Sequence, residues 1–148
     1  MKLKQISIFI ENSPGRLCTV TKLLGDAGIN LRALSLVDKG EFGILRLLVS
    51  DMARTRRIIM ENHFPAQVDD VVVATITDKP GSLAKVLKVI QDAGVNVVYM
   101  YAFNGFASDK AVMIFRFSDN DRAIEVLQAN GVGLLNAEAF GIIETENG

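Results

Sequence analysis

The chain has one cysteine, one histidine, three prolines and no tryptophan in 148 residues. A single thiol, Cys18, excludes an internal disulfide framework, and with no base beside it in a helical stretch it reads as buried and structural. The single histidine, His63, stands beside Phe64-Pro65 and reads as a solvated loop residue. No Cys/His cluster has metal-ligand spacing, no serine is set with a histidine and a carboxylate, and no G-x-x-x-x-G-K-[ST] loop occurs. Asp69-Asp70 and Asp119 to Asp121 read as turn and cap residues. The expectation is a protein that is not an enzyme, with no cofactor and no metal. Excess charge is missing too. Sixteen basic and 17 acidic residues leave a net charge of −1 and a pI near 5.8, which offers no attraction to nucleic acid or anionic membrane. No apolar run approaches the roughly 20 residues of a spanning helix. Met1-Lys2-Leu3-Lys4 resembles a signal n-region, but the stretch behind it alternates, breaks at Glu11 and has no small-residue cleavage site. With 49% hydrophobic residues, the chain reads as soluble and cytoplasmic.

What is present is a pattern written twice. Asn12-Ser13-Pro14-Gly15-Arg16-Leu17 returns 66 residues later as Asp78-Lys79-Pro80-Gly81-Ser82-Leu83. Each copy runs on to Asp26-Ala27-Gly28-Ile29-Asn30 or Asp92-Ala93-Gly94-Val95-Asn96. Ser50-Asp51 matches Ser118-Asp119 at a spacing of 68, so the second copy carries a two-residue insertion. Repetition of turns as well as apolar spacing marks two copies of one module, residues 1–69 and 70–148. A module of roughly 70 residues is marginal alone, so pairing of modules or dimerisation is the expected remedy.

In the first copy, Ile6, Ile8 and Ile10 alternate as a strand. Ser13 is placed to cap a helix with Pro14 in its first turn. Leu17, Val20, Leu24 and Ala27 form the apolar stripe, and Gly28 is the terminator. Strands follow at 29–37 and 42–49 around the turn Asp38-Lys39-Gly40, then a helix capped by Ser50 or Asp51 through Met60. A fourth strand from Ala66 is continuous with Val71-Val72-Val73. The second copy repeats this order: a strand at 71–76, a helix at 79–93 and strands at 95–103 and 110–117. Between those strands lies the longer loop Asn104-Gly105-Phe106-Ala107-Ser108-Asp109. A helix at 119–130 and a last strand within 133–143 complete it. The fold class is α+β: two ferredoxin-like βαββαβ modules, antiparallel sheets with helices on one face.

Each Pro-Gly turn ends a strand and opens a helix, leaving backbone N–H groups at the positive end of a helix dipole, which suits a small anion. Gly15 and Gly81 permit close approach to the backbone. Asn12 and Asp78 are placed to bond a polar ligand group or, equally, their own turn. Asn30 and Asn96 read either as local turn chemistry or as amides offered at a strand start. Tyr99, Tyr101 and Phe103 share one strand face, where the first copy has Ala33, Ser35 and Val37, and read as core or interface.

The pattern [ND]-x-P-G-x-L, an apolar helix and D-A-G-[IV]-N, twice within βαββαβ modules, resembles the ACT domain in tandem over nearly the whole chain. That resemblance implies an amino-acid-binding regulatory module serving enzymes of amino-acid metabolism. Its ligand would sit where one module's Pro-Gly loop meets the second-strand Asn of another. Asn12, Ser13, Pro14, Gly15, Arg16, Leu17, Asn30, Asp78, Pro80, Gly81, Ser82, Leu83 and Asn96 are the implied ligand-binding residues, and a free amino acid or similar small carboxylate the implied ligand. Pairing through second-strand edges would put Asn12 with Asn96 and Asp78 with Asn30 within one chain, or Asn12 with Asn30 in a homodimer. Serine-binding members carry a histidine two residues before the loop Asn. Ile10 and Ile76 stand there instead, which implies a more apolar ligand or an unused site.

Two alternatives compete. One is a structural or oligomerisation module without a ligand. The other is RNA binding: Ile8-Phe9-Ile10-Glu11-Asn12 and Lys39-Gly40-Glu41-Phe42-Gly43 resemble RNA-recognition signatures, but the second is out of register, and Ala74-Thr75-Ile76 lacks the aromatic.

Overall fold

The computed structural model describes residues 1–107 and 109–142, and of 104–107 the backbone alone. Among the described residues, seven strands and four helices are formed in the order β1 (Lys2–Glu11), α1 (Arg16–Asp26), β2 (Leu31–Asp38), β3 (Phe42–Val49), α2 (Met52–Glu61), β4 (Ala66–Thr77), α3 (Ser82–Asp92), β5 (Val97–Ala107), β6 (Lys110–Phe117), α4 (Asn120–Ala129) and β7 (Gly133–Leu135). A 3₁₀ turn, Glu138–Phe140, follows. Two compact units result. One holds Lys4–Asp69 with the segment from Ala137, and the other holds Met1–Leu3 with Asp70–Asn136.

In the unit built on the first copy, β3 lies between β1 and β2, both antiparallel to it. Phe9 N–H donates to Pro65 O at 2.9 Å, which brings the start of β4 beside β1. Alternation sends Ile6, Ile8 and Ile10 of β1 and Leu45, Leu47 and Val49 of β3 to the helix face. There they bury Val20 and Leu24 of α1 and Ile59 of α2, each side chain contributing about 1.5–3 kcal/mol on burial. In the other unit the lateral order is β5, β6, β4, β7, all antiparallel. Val72, Ala74, Met113, Phe115 and Phe117 meet Val86, Ile90, Ala123 and Leu127, and the Phe115 and Phe117 rings stack at 4.9 Å. Within each unit the second strand, β2 or β5, is outermost.

Several local expectations are corrected. Ser13 does not cap α1. Its own N–H turns back to Glu11 O at 2.8 Å, and the cap position falls on Gly15 at φ +90°, with no side-chain cap. Cys18 is exposed, because it lies two residues from buried Val20 and so about 200° away around the helix. Leu17 is 40% exposed and is not part of the core. The strand expected to end at Phe103 continues to Ala107, taking in most of the expected loop; Ser108 lies outside the described residues. The last strand is only Gly133–Leu135, and Ile143 again lies outside the described residues. His63 is exposed as expected, at φ +62°.

Candidate functional site

The first Pro-Gly loop forms one wall of an open cavity of about 380 Å³, within the range of small-molecule sites. Its lining is Ile10 to Gly15 and Leu17 on one side, and Leu36, Val37, Asp38 and Gly43 on the other. Strand register creates it. Ile10 lies opposite Gly43 and Asp38 also pairs with Gly43, so the end of the β2–β3 hairpin lies beside the loop that leaves β1. Asn12 ties the two walls together. Its N–H donates to Glu41 O at 2.9 Å and its side-chain amide donates to Gly40 O at 2.9 Å. Gly40 N–H in turn donates to Asp38 Oδ1 at 2.8 Å, so the turn is fastened from both sides.

The helix start supplies donors. Arg16 N–H makes a long bond to Ser13 O and Thr19 N–H donates to Gly15 O, but the amides of Gly15, Leu17 and Cys18 meet no acceptor among the described residues. They lie at the positive end of α1. Arg16 does not line the cavity. Its guanidinium lies 4.9 Å from the centroid of the Phe64 ring, with Nε 3.9 Å from Glu11 Oε2.

The second loop repeats the backbone. Gly81 has φ +87°, Asp78 N–H donates to Asp109 O, Ser82 N–H to Lys79 O and Lys85 N–H to Gly81 O. Gly81, Leu83 and Ala84 keep amides without an acceptor among the described residues. Pro80 sits in the turn before α3. The side chains differ: Asp78 has no amide to donate, and Leu83 packs on its own core where Leu17 stays at a cavity rim.

Asn30 and Asn96 share one local role. Asn30 N–H donates to Ser50 Oγ at 2.9 Å and Ser50 N–H returns to Asn30 O at 2.9 Å. Asn96 and Ser118 do the same at 2.9 and 2.8 Å. Asp51 and Asp119 then cap the following helices. The repeated Ser-Asp pair thus pins a strand start and opens a helix. The Asn side chains remain exposed. Asn30 precedes β2, and the loop lies by its far end, roughly 25 Å of extended chain away, so one module does not join Asn12 to Asn30.

Sequence reasoning missed Glu11, Leu36, Val37, Asp38 and Gly43 as cavity walls, while Ile10, two residues before Asn12, does line the cavity. The signal was the hairpin Asp38-Lys39-Gly40, whose closure places the end of β2 beside the end of β1. Phe9 and Phe42 come within 6.1 Å, tilted at 54°. Glu11 is the direct cross-strand neighbour of Phe42, an acidic companion unsuited to a phosphate backbone. Tyr99, Tyr101 and Phe103 share the face opposite the helices and are half-buried. No described group of three or more His, Cys, Asp or Glu residues is placed to hold a metal, and no described helix is long and apolar enough to cross a membrane.

The family model for an ACT domain pair matches residues 1–142. No curated protein matches the chain. Among solved structures, protein BT0572 from Bacteroides thetaiotaomicron is 40% identical, with 97% of this chain and 98% of that one covered and a TM-score of 0.90. The ligand-free regulatory subunit of aspartate kinase from Thermus thermophilus shares the fold at 16% identity, covering 85% and 88% of the two chains at a TM-score of 0.65. The corresponding subunit from Thermus flavus is also 16% identical, covering 85% and 90%, at a TM-score of 0.59. Matched over both modules in order, and 40% identical to a solved structure along almost its full length, the chain belongs to the ACT domain pair family.

Proposed function

We propose that the protein is a non-catalytic regulatory module that binds a free amino acid or similar small carboxylate at the first Pro-Gly loop. The observation that carries this reading is the cavity itself: donors without acceptors at a helix start form part of the rim of about 380 Å³ of open space. A carboxylate is the small anion such a helix start favours. The regulatory part draws on the family and on the kinship of fold with aspartate kinase regulatory subunits.

Because Asn30 lies at the far end of its own module, the site is completed by Asn30 of a second copy paired through the β2 edge. Leu34 and Leu36 of that edge are 58% and 54% exposed, and an unpaired edge invites such addition. A ligand held there stabilises the paired state by its differential affinity for it, and the paired state is what a partner enzyme of amino-acid metabolism would read. A cytoplasmic setting accords with a ligand from the free amino-acid pool.

The test is a thermal melt of the full chain against the 20 standard amino acids. At least one should raise the melting temperature with the logarithm of its concentration, by about 2.7 kcal/mol of stability at 100 times its Kd. Asn12→Ala should abolish that shift. A flat panel would leave the ligand-free oligomerisation module as the better reading, and light scattering with and without amino acids would then show one unchanged oligomer.

A further inference from the structure

We infer that the first-module cavity selects α-amino acids with an apolar side chain, and that Asp38 recognises their ammonium group. This rests on the loop being an amino-acid site and adds which class it takes and by what contact. Three chemistries meet on the cavity wall. The first is the set of unpaired amides at Gly15 and Leu17, suited to a carboxylate.

The second is apolar. Ile10, Leu17 and Leu36 line the space, and Leu17 and Leu36, 40% and 54% exposed, offer it their carbon surface. Leu36 lies over Gly43, where an added Cβ would stand 3.3 Å from Leu36 Cδ1. A hydroxyl or second ammonium pressed against these carbons would lose its hydration without a partner. A branched or aromatic side chain would cover them.

The third is a negative charge. Glu11 and Asp38 both line the cavity, but Glu11 faces the Arg16 guanidinium at 3.9 Å. Asp38 has no cation beside it among the described residues. Its Oδ1 is held by Gly40 N–H at 2.8 Å, which fixes the carboxylate while Oδ2 keeps its capacity to accept. Helix-start amides at one side and a fixed carboxylate at the other complement a zwitterion.

The second module breaks the same set. By strand register, Asp38 and Gly43 correspond to Asn104 and Ala111, and Leu36 corresponds to Ala102. Asp78 replaces Asn12. The carboxylate has moved onto the loop beside the helix start and the leucine wall is gone, so this copy does not take the same ligand.

The experiment is isothermal titration of the full-length protein with leucine, isoleucine, valine, methionine and phenylalanine, against serine, threonine, lysine and aspartate. 4-Methylpentanoate serves as leucine without its amine. The apolar set should include the tightest ligand, by about tenfold or more over every polar one. Asp38→Asn keeps an oxygen for Gly40 N–H, so the turn is preserved. It should weaken that ligand by about tenfold or more and leave the response to 4-methylpentanoate unchanged. Equal or tighter binding of a polar amino acid overturns the selectivity while leaving the loop as an amino-acid site. Equal losses for leucine and 4-methylpentanoate, or no loss for leucine, overturn the role of Asp38. No binding by any amino acid removes both readings.

Discussion

At the scale of single residues, the two Pro-Gly turns show how one backbone serves two different side-chain sets. Gly15 and Gly81 hold φ near +90° at helix starts, with nothing within 4 Å of the place a methyl group would take. Gly81→Ala should therefore lose about 1 kcal/mol through backbone strain alone, read as a lower urea midpoint with an unchanged slope. Gly25, inside α1 with equally open surroundings, is the contrasting case: Gly25→Ala should gain about 0.5–1 kcal/mol from helix propensity. The need for glycine was legible in the sequence, because the motif keeps Pro-Gly in both copies. The task of Asn12 was not, since its bond to Gly40 O spans 28 residues and depends on a hairpin closing beside the loop. Asp78 cannot make that bond, so Asn12→Asp should lose the clamp and the ligand response together, while circular dichroism shows the fold retained.

At the scale of elements, helix order, strand order and the run of β4 through the module boundary follow from apolar periodicity and turn residues. Helix starts were read less well, because capping depends on where a turn closes rather than on residue type. Ser13 has a capping side chain but spends its backbone on a turn to Glu11, and Gly15 takes its place. Asp51 and Asp119 do cap, accepting from Arg54 and Arg122 N–H at 3.2 and 3.0 Å. Asp119→Ala should cost about 1 kcal/mol, measured by thermal or urea unfolding. The expected loop after Phe103 continues as strand, since β6 pairs Ala111 with Asn104 and, past a register shift, Lys110 with Ala107, which local composition does not report. Cys18 has the residue type of a core position, but its angular place on α1 turns it to solvent.

At the scale of the molecule, duplication produced two folded units whose second strands are outermost, with different side chains at matching sites. Pairing of two copies through β2 predicts that Leu34→Lys, on a side chain 58% exposed, yields a monomer by light scattering without loss of secondary structure. The exposed pair Lys2 Nζ to Asp121 Oδ1, at 3.0 Å, raises the Lys2 pKa first by its hydrogen bond and then by its charge. Its contribution is therefore present below the usual lysine range and lost as pH rises through the raised value. The doubling of the βαββαβ order was legible in the repeat, whereas the exchange of Met1–Leu3 and of the segment from Ala137 between the two units was not, nor was the wall opposite the first loop, which exists only once β2 and β3 lie in register. Binding at the first loop is tested most directly by following the backbone amide resonances of Gly15, Leu17 and Cys18 during titration with apolar amino acids. Saturable shifts concentrated on those amides, and absent from Gly81, Leu83 and Ala84, are the expected result. Unmoved resonances at saturating concentrations of every amino acid, or shifts confined to other parts of the chain, would contradict it.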